Sequence, residues 1–389
     1  MNSYRRCTRC IMDTTDPLIR FDESGVCSHC HRFEATTRKR WHPDSVGAGL
    51  WQDSVAQMRR ERGASGYDCV IGVSGGIDSA AVVLLAGDAG LNPLLVHVDA
   101  GWNSALAVRN IERLIGATGF DLVTVVVDWE AIRQLQVAYF AAGVINQDVP
   151  QDQAFLAGLR RVADRLGIRW TLTGHNIATE SVLPTAWGWW PMDIRNIRAI
   201  YQWWCSRNDL PTTWPLPGYP LLPETEWLSA LLPLGRAVVN PLNWYPYDKD
   251  ATARRLEEWG WTPYSRKHGE SRFTSFYQEH FLPVRFGVDK RIAHLSSRIM
   301  AGQLSRSEAL ADMKSPMLSA LDADLETDFV ARKLHLTRAQ FDAVSSGPIR
   351  QHTDFASSIA ALVRLRRGLS RRRRLGPTLE QPPGPGEEP

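Results

Sequence analysis

No stretch of this 389-residue chain approaches the roughly 18 consecutive apolar residues that a membrane-spanning helix requires. The opening Met1-Asn2-Ser3-Tyr4-Arg5-Arg6-Cys7 also lacks the apolar core of a secretory signal. A cytoplasmic protein without a membrane partner is therefore expected. Charge of one sign is lacking too: 45 Lys and Arg face 42 Asp and Glu, for a net +3. Arg364, Arg366, Arg367, Arg371, Arg372, Arg373 and Arg374 crowd into one run near the C-terminus. With that run and the tail glutamates Glu380, Glu387 and Glu388 set aside the body is near neutral, and nothing in its charge calls for a nucleic acid. Cysteine is scarce, six in all, which excludes a disulfide scaffold.

Four of those cysteines, Cys7, Cys10, Cys27 and Cys30, form two C-x-x-C pairs joined across an Asp22-Glu23-Ser24-Gly25 turn. In a cytosolic chain that spacing reads as one structural Zn²⁺ site, which would hold together a segment too short to bury a core. Residues 1–35 are read as this zinc ribbon and 36–65 as a helical or irregular connector.

From Tyr67 short apolar runs alternate with amphipathic segments. Strands are expected over Tyr67–Val73, Leu94–Val98, Leu122–Val127 and Arg169–Thr173, with helices over Asp78–Gly87, Ala105–Thr118 and Asp152–Leu166. Buried strands alternating with helices predict an α/β fold, a doubly wound parallel sheet over 66–200. Beyond it the pattern turns mainly helical over 201–362, and a Pro- and Arg-rich tail over 363–389 reads as disordered.

Ser74-Gly75-Gly76-Ile77-Asp78-Ser79 follows the first apolar strand and opens a helix. Glycines admit close backbone approach, N–H groups at a helix start attract anions, and serine hydroxyls add donors. No lysine follows, so this is not a Walker A loop. Backbone donors beside a carboxylate suit a pyrophosphate carrying Mg²⁺, with Asp78 on the metal side. The string resembles the signature of the PP-loop ATP pyrophosphatases. Val98 and Asp99 end the second strand, and Gly174 and Asn176 follow the fourth, so all face the carboxyl edge where open α/β sheets bind nucleotides. Asn176 and Glu180, four residues apart, are expected on one helix face beside the same phosphate or Mg²⁺.

Longer stretches narrow the resemblance. They are Cys7-Thr8-Arg9-Cys10-Ile11-Met12-Asp13-Thr14-Thr15-Asp16-Pro17, Gly101-Trp102-Asn103-Ser104, and Ala178-Thr179-Glu180 followed by Leu183-Pro184. Two more are Lys267-His268-Gly269-Glu270-Ser271-Arg272-Phe273-Thr274 and the run from Phe286 to Ser296. Together they resemble the N-acetyl sugar amidotransferase family, over most of the chain from Cys7 to about Leu362. The resemblance implies an enzyme that uses ATP and Mg²⁺ to adenylate an acetamido oxygen of a sugar, with a nucleotide-linked sugar one such substrate. Ammonia then displaces AMP to give an amidine. It further implies that Lys267, His268, Glu270 and Arg272 form a lid over the substrate and that Lys290 and Arg291 contact phosphate. A separate glutaminase with an ammonia channel would be the partner. Two other readings remain open: a PP-loop sulfurtransferase, for which only Cys69 and Cys205 are left as paired thiols, and a non-catalytic zinc-ribbon protein that grips nucleic acid. Trp203, Trp204 and Trp214 could stack on a base or sugar, or simply fill a core.

Overall fold

The computed structural model describes residues 4–226, 236–264 and 269–359. Lys267, His268 and the Arg-rich tail lie outside the described residues. The chain divides into two compact units, each assembled from separated stretches of sequence: Met1–Val125, Leu159–Pro184 and Arg236–Ala323 in the first, Val126–Gly158, Thr185–Gly235 and Asp324–Pro389 in the second.

The first unit is built on a five-stranded sheet of β1 (Cys69–Gly72), β2 (Pro93–Asp99), β3 (Leu122–Val126), β4 (Trp170–Leu172) and β5 (Ala237–Val239), in the order β3-β2-β1-β4-β5. β1 runs parallel to both β2 and β4, with Val70 opposite Leu94 on one side and Thr171 on the other. Val70, Ile71 and Leu95 are fully buried, as a strand covered on both faces requires, whereas Val126 at the end of the edge strand β3 is largely exposed. The helix Ile77–Asp88 is buried from Ala80 through Ala86 and packs in one apolar cluster with the strands. The helix Ala105–Thr118 falls where the sequence pattern puts it. Ser104 Oγ accepts from Ala107 N at 3.1 Å to start it, and Gly119, at φ +67°, ends it.

The four expected strands form, trimmed or extended by a residue or two at their ends. β5 is an addition. It lies within the region expected to be mainly helical and pairs parallel with β4, Thr171 opposite Val238. Three residues carry no readable period, and only pairing with β4 makes Ala237–Val239 a strand. In the connector, Asp44 Oδ1 accepts from Val46 N at 2.9 Å and starts the helix Ser45–Arg60.

The second unit is helical. Trp129–Ala142, Ile194–Arg207 and Arg338–Ser345 are its clearest helices, with Phe140 and Phe341 meeting edge to face at 5.0 Å between ring centres. Trp204 and Trp214 both lie about 6 Å from Tyr201, and Trp203 packs edge-on against Phe355. The three tryptophans thus take part in the aromatic packing of this unit.

Candidate functional site

At the N-terminus the antiparallel bridges Arg6–Asp13 and Phe21–Cys27 fold the chain into two knuckles, and the Asp22–Gly25 turn closes with Gly25 at φ +84°. All four cysteines are fully buried. Their sulfurs stand 3.9 Å apart for Cys7 and Cys30, 3.6 Å for Cys10 and Cys27, and 3.8 Å for Cys27 and Cys30. A tetrahedron with Zn–S bonds of about 2.3 Å has edges of about 3.8 Å, so the sulfurs already outline a four-thiolate zinc site. All six sulfur pairs fall within 4.8 Å, and this is the one such cluster among the described residues. Hydrogen bonds among the thiols pull Cys7 and Cys10 below the usual thiol range. Zinc held by all four thiolates would have no coordination position left for a substrate.

The Ser74–Ser79 loop sits at the carboxyl end of β1, the central strand, where the strand order reverses between β2 and β4. Gly75 has φ +83°, and a Cβ there would lie 2.6 Å from the carbonyl oxygen of Ala107. Glycine is therefore required on two grounds. Gly174, after β4, approaches so closely that a Cβ would fall 2.8 Å from the Asp78 carbonyl carbon and 2.9 Å from Ser79 N. Ser79 Oγ donates to Gly76 O at 3.0 Å, which ties the loop to the first turn of its helix. Two loops from neighbouring strand ends thus press into one cradle.

Asp78 is the hub of that cradle. Tyr247 OH donates to Oδ1, Lys249 Nζ to Oδ2 at 3.1 Å, and Asn176 Nδ2 reaches Oδ1 at 3.4 Å. Burial, then the Asp78 charge, then the hydrogen bond to it push the Tyr247 phenol far above its ordinary range, with Glu180 adding to the effect. Tyr247 therefore stays protonated and always donates. Neither Tyr247 nor Lys249 is legible from the sequence, because both lie about 170 residues away from Asp78 with no motif around them. Lys249 is the first residue of the helix Lys249–Glu257.

Asn176 stands at the N-cap of Ile177–Glu180 and not on its face. Its Oδ1 accepts from Thr179 N at 2.9 Å, which leaves the amide nitrogen to Asp78. Glu180 pairs with His175 Nδ1 at 2.7 Å. Asp99 turns back to accept from Gly101 N at 2.7 Å and Asn103 Nδ2 at 3.0 Å, and His97 Nε2, just before Val98, accepts from Asn103 Nδ2 at 2.9 Å. Oxygen donors at Asp78 and Glu180 suit Mg²⁺, which takes one or two carboxylates and fills its remaining positions with phosphate oxygens and water.

Glu270 reaches the loop as well: a Cβ on Gly76 would stand 3.5 Å from its carboxyl carbon. Its backbone carbonyl accepts from Ser104 N at 2.9 Å, Ser271 bridges to Asn103, and Arg272 N donates to the Trp102 carbonyl at 3.0 Å. Lys290 lies over the Tyr277 ring at 5.2 Å. Arg291 is bound to Asp289 at 2.7 Å and to the Ser315 carbonyl at 2.8 Å, and neither contact belongs to the cradle. Cys69 begins β1, at the end of the strand away from the loop, and burial pushes its thiol well up; Cys205 is buried in the second unit.

The first unit is thus a parallel α/β domain with a glycine-lined cradle at its strand-order reversal and a four-cysteine knuckle at its N-terminus. Residues 270–366, roughly a quarter of the chain, match the family described as "LPS biosynthesis protein WbpG-like, C-terminal domain". No curated protein matches the chain. The matched stretch reaches each of the other motif segments. Ser271 and Arg272 meet Trp102 and Asn103, while Ser297 Oγ accepts from Val182 N at 3.0 Å. Arg306 donates to the carbonyls of Cys7 and Cys10 at 3.0 Å each. Among the described residues no helix is long and apolar enough to cross a membrane.

Proposed function

We propose that the chain is an ATP-dependent, AMP-forming amidotransferase that converts the acetamido group of a sugar into an amidine. The observation that carries this reading is the seating of Gly174 on the Asp78–Ser79 backbone, which joins two strand-end loops into one cradle at the reversal of strand order, the place where open α/β sheets bind nucleotides. The match to a family described by LPS biosynthesis supports a sugar as the substrate.

In this reading Ser74, Gly75, Gly76 and Ser79 hold the β,γ-phosphates, and Val98, Asp99, Gly174 and Asn176 border the nucleoside. The acetamido oxygen attacks the α-phosphorus and pyrophosphate leaves. Ammonia then adds to the activated carbon, AMP leaves with the original oxygen, and a proton is lost. An amide oxygen is a poor leaving group, and adenylation turns it into a phosphate-bearing one. The protein's part is to align two anions with a weak nucleophile and to stabilise the charge that develops. Lys249 supplies a fixed cation beside Asp78, and Tyr247 keeps that carboxylate oriented. Mg²⁺ at Asp78 and Glu180 would neutralise phosphate charge. Glu270, against Gly76, would repel a bare triphosphate, which makes a metal-bound nucleotide the better fit. Lys267, His268, Glu270 and Arg272 would close over the substrate, with Lys290 and Arg291 as further phosphate contacts. A separate glutaminase would deliver ammonia.

Product analysis tests the reading. The protein is given ATP, ammonium and nucleotide-linked acetamido sugars, and AMP with pyrophosphate should accumulate alongside an amidine product. Formation of ADP and phosphate instead would sink it. Glutamine labelled with ¹⁵N at its amide should leave the product unlabelled unless a glutaminase is added.

A further inference from the structure

The side chains of His97, Asp99 and Asn103 form one hydrogen-bond chain at the carboxyl end of β2, and chemistry fixes its direction. Asp99 Oδ1 accepts from Gly101 N at 2.7 Å and from Asn103 at 3.0 Å. A carboxylate only accepts, so the Asn103 atom that faces it is the amide nitrogen. That nitrogen also stands 2.9 Å from His97 Nε2, which therefore accepts. The ring proton is then on Nδ1, which donates to the Val73 carbonyl at 2.9 Å. Turning the Asn103 amide over would set its oxygen against two acceptors at once, so the imidazole and the carboxylate together lock it. The chain thus runs from Val73, the residue before the Ser74–Ser79 loop, through His97 and Asn103 to Asp99. His97 is buried, so few waters can substitute for these bonds.

The backbone of the same asparagine faces a distant stretch of sequence. Asn103 forms an antiparallel bridge with Ser271, Ser104 N donates to the Glu270 carbonyl at 2.9 Å, and Arg272 N donates to the Trp102 carbonyl at 3.0 Å. The buried rings of Trp102 and Phe273 pack with centres 5.1 Å apart. Ser271 Oγ accepts from Thr274 N at 3.3 Å and starts the helix Arg272–Phe276 on that support. One residue therefore carries the side-chain lock on Asp99 and the backbone seat of the segment whose Glu270 reaches Gly76.

We propose that His97 and Asn103 are positioning residues of the nucleotide site. His97, oriented by Val73, locks the Asn103 amide, and Asn103 holds the Asp99 carboxylate and the Glu270–Arg272 segment in one register. They act through Asp99 and that segment and not by touching the nucleotide. The choice of ligand for the test rests on the reading of the cradle as an ATP site.

The test uses the full chain with Mg²⁺ and α,β-methylene-ATP, whose α–β bridge cannot be cleaved. His97→Gln offers an acceptor near the Nε2 position and should bind the analogue within about 3-fold of the parent. His97→Asn keeps a donor for Val73 near the Nδ1 position but offers Asn103 nothing. It should bind roughly 10-fold more weakly, as for one lost hydrogen bond to a charged group, and Asn103→Leu should match it. Hydrogen exchange gives a second readout. The analogue should slow exchange over 74–79 and 270–274 in the parent and in His97→Gln, but over 74–79 alone in His97→Asn. A histidine that only stitches β2 to β1 gives the opposite order, with His97→Gln the less stable of the two and binding alike in both. Should a histidine variant fail to fold, Asn103→Leu, which leaves the His97–Val73 bond in place, carries the same comparison with the parent. Equal binding across the folded variants, or slowed exchange at 270–274 that persists in His97→Asn or Asn103→Leu, overturns the proposal and leaves the ATP site standing. An analogue that slows nothing over 74–79 in the parent overturns the ATP site, and the proposal with it.

Discussion

The cysteine knuckle and the strand-end cradle are two ways of building a polar site. All four thiols come from the first thirty residues, face one another and are fully buried. The cradle takes its glycines from two loops and then borrows Tyr247, Lys249, Trp261, Tyr264 and Glu270 from far along the chain, while Asp78 keeps about a quarter of its side chain exposed (26%). A site that closes on itself can bind a metal and hold structure. A site finished by distant residues stays open on one side and depends on the whole unit being folded. The knuckle is tied to the rest of its unit through Arg306, whose guanidinium donates to the Cys7 and Cys10 carbonyls, and through Ser296 Oγ, which accepts from Ile11 N at 3.3 Å.

The largest effect should follow from removing the metal. Structural zinc sites in small peptides contribute about 10–16 kcal/mol of folding free energy near neutral pH. Purified protein should hold one zinc per chain by elemental analysis. Chelation, or Cys10→Ser, should unfold the knuckle and release Arg306 and Ser296 from it, lowering the melting temperature of the first unit. Protein free of zinc with an unchanged melting temperature would break the comparison.

Next comes the hub of the cradle. Asp78→Asn keeps the shape but removes the charge that Lys249 and Tyr247 are arranged around. A loss of about 10²-fold in AMP formation is expected, the scale of one electrostatic contact in a site. Lys249→Met should cost a comparable factor, and the double variant should lose less than the product of the two, since each leaves the other without its partner. Additive losses would separate Lys249 from Asp78. Folding should be intact in all three, unlike the cysteine variant.

Gly75→Ala is expected to cost about 1–3 kcal/mol of stability, because alanine must take a positive φ and its Cβ meets the Ala107 carbonyl at 2.6 Å. That contact is backbone and cannot turn aside. Urea unfolding would measure it, and a neutral result would mean that the loop can be rebuilt around a side chain.

What could be read from the residues follows the same division. The knuckle was legible because its four ligands and its turn are local, and the loop because Gly-Gly-x-Asp after a buried strand has a local physical meaning. The parallel sheet followed from alternating buried runs and amphipathic helices. β5 was not legible, since Ala237–Val239 becomes a strand only by pairing with β4. Tyr247 and Lys249 carry no pattern of their own and acquire meaning from the Asp78 carboxylate alone. Asn176 was expected on a helix face with Glu180, whereas it caps that helix. The cap of a four-residue helix is decided by backbone dihedrals that the spacing from 176 to 180 does not reveal.

The smallest predicted effect lies beneath the loop, where Trp261 Nε1 donates to the Gly75 carbonyl at 3.1 Å and Tyr264 OH donates to the same oxygen at 3.0 Å. The carbonyl has two lone pairs and here uses both. Burial raises the Tyr264 phenol above its usual range, so it remains a donor across the physiological range. Trp261→Phe removes one donor and some ring volume but leaves Gly75 satisfied. It should cost about 0.5–1.5 kcal/mol from the hydrogen bond, plus a packing loss, with little change in AMP formation. Tyr264→Phe should behave alike. The two together strand the oxygen at a φ that only glycine holds comfortably, so their combined cost should exceed the sum of the single costs. Chemical denaturation of the four proteins measures that coupling. Strict additivity would mean that the carbonyl finds water, and that the floor of the cradle is as open as its mouth.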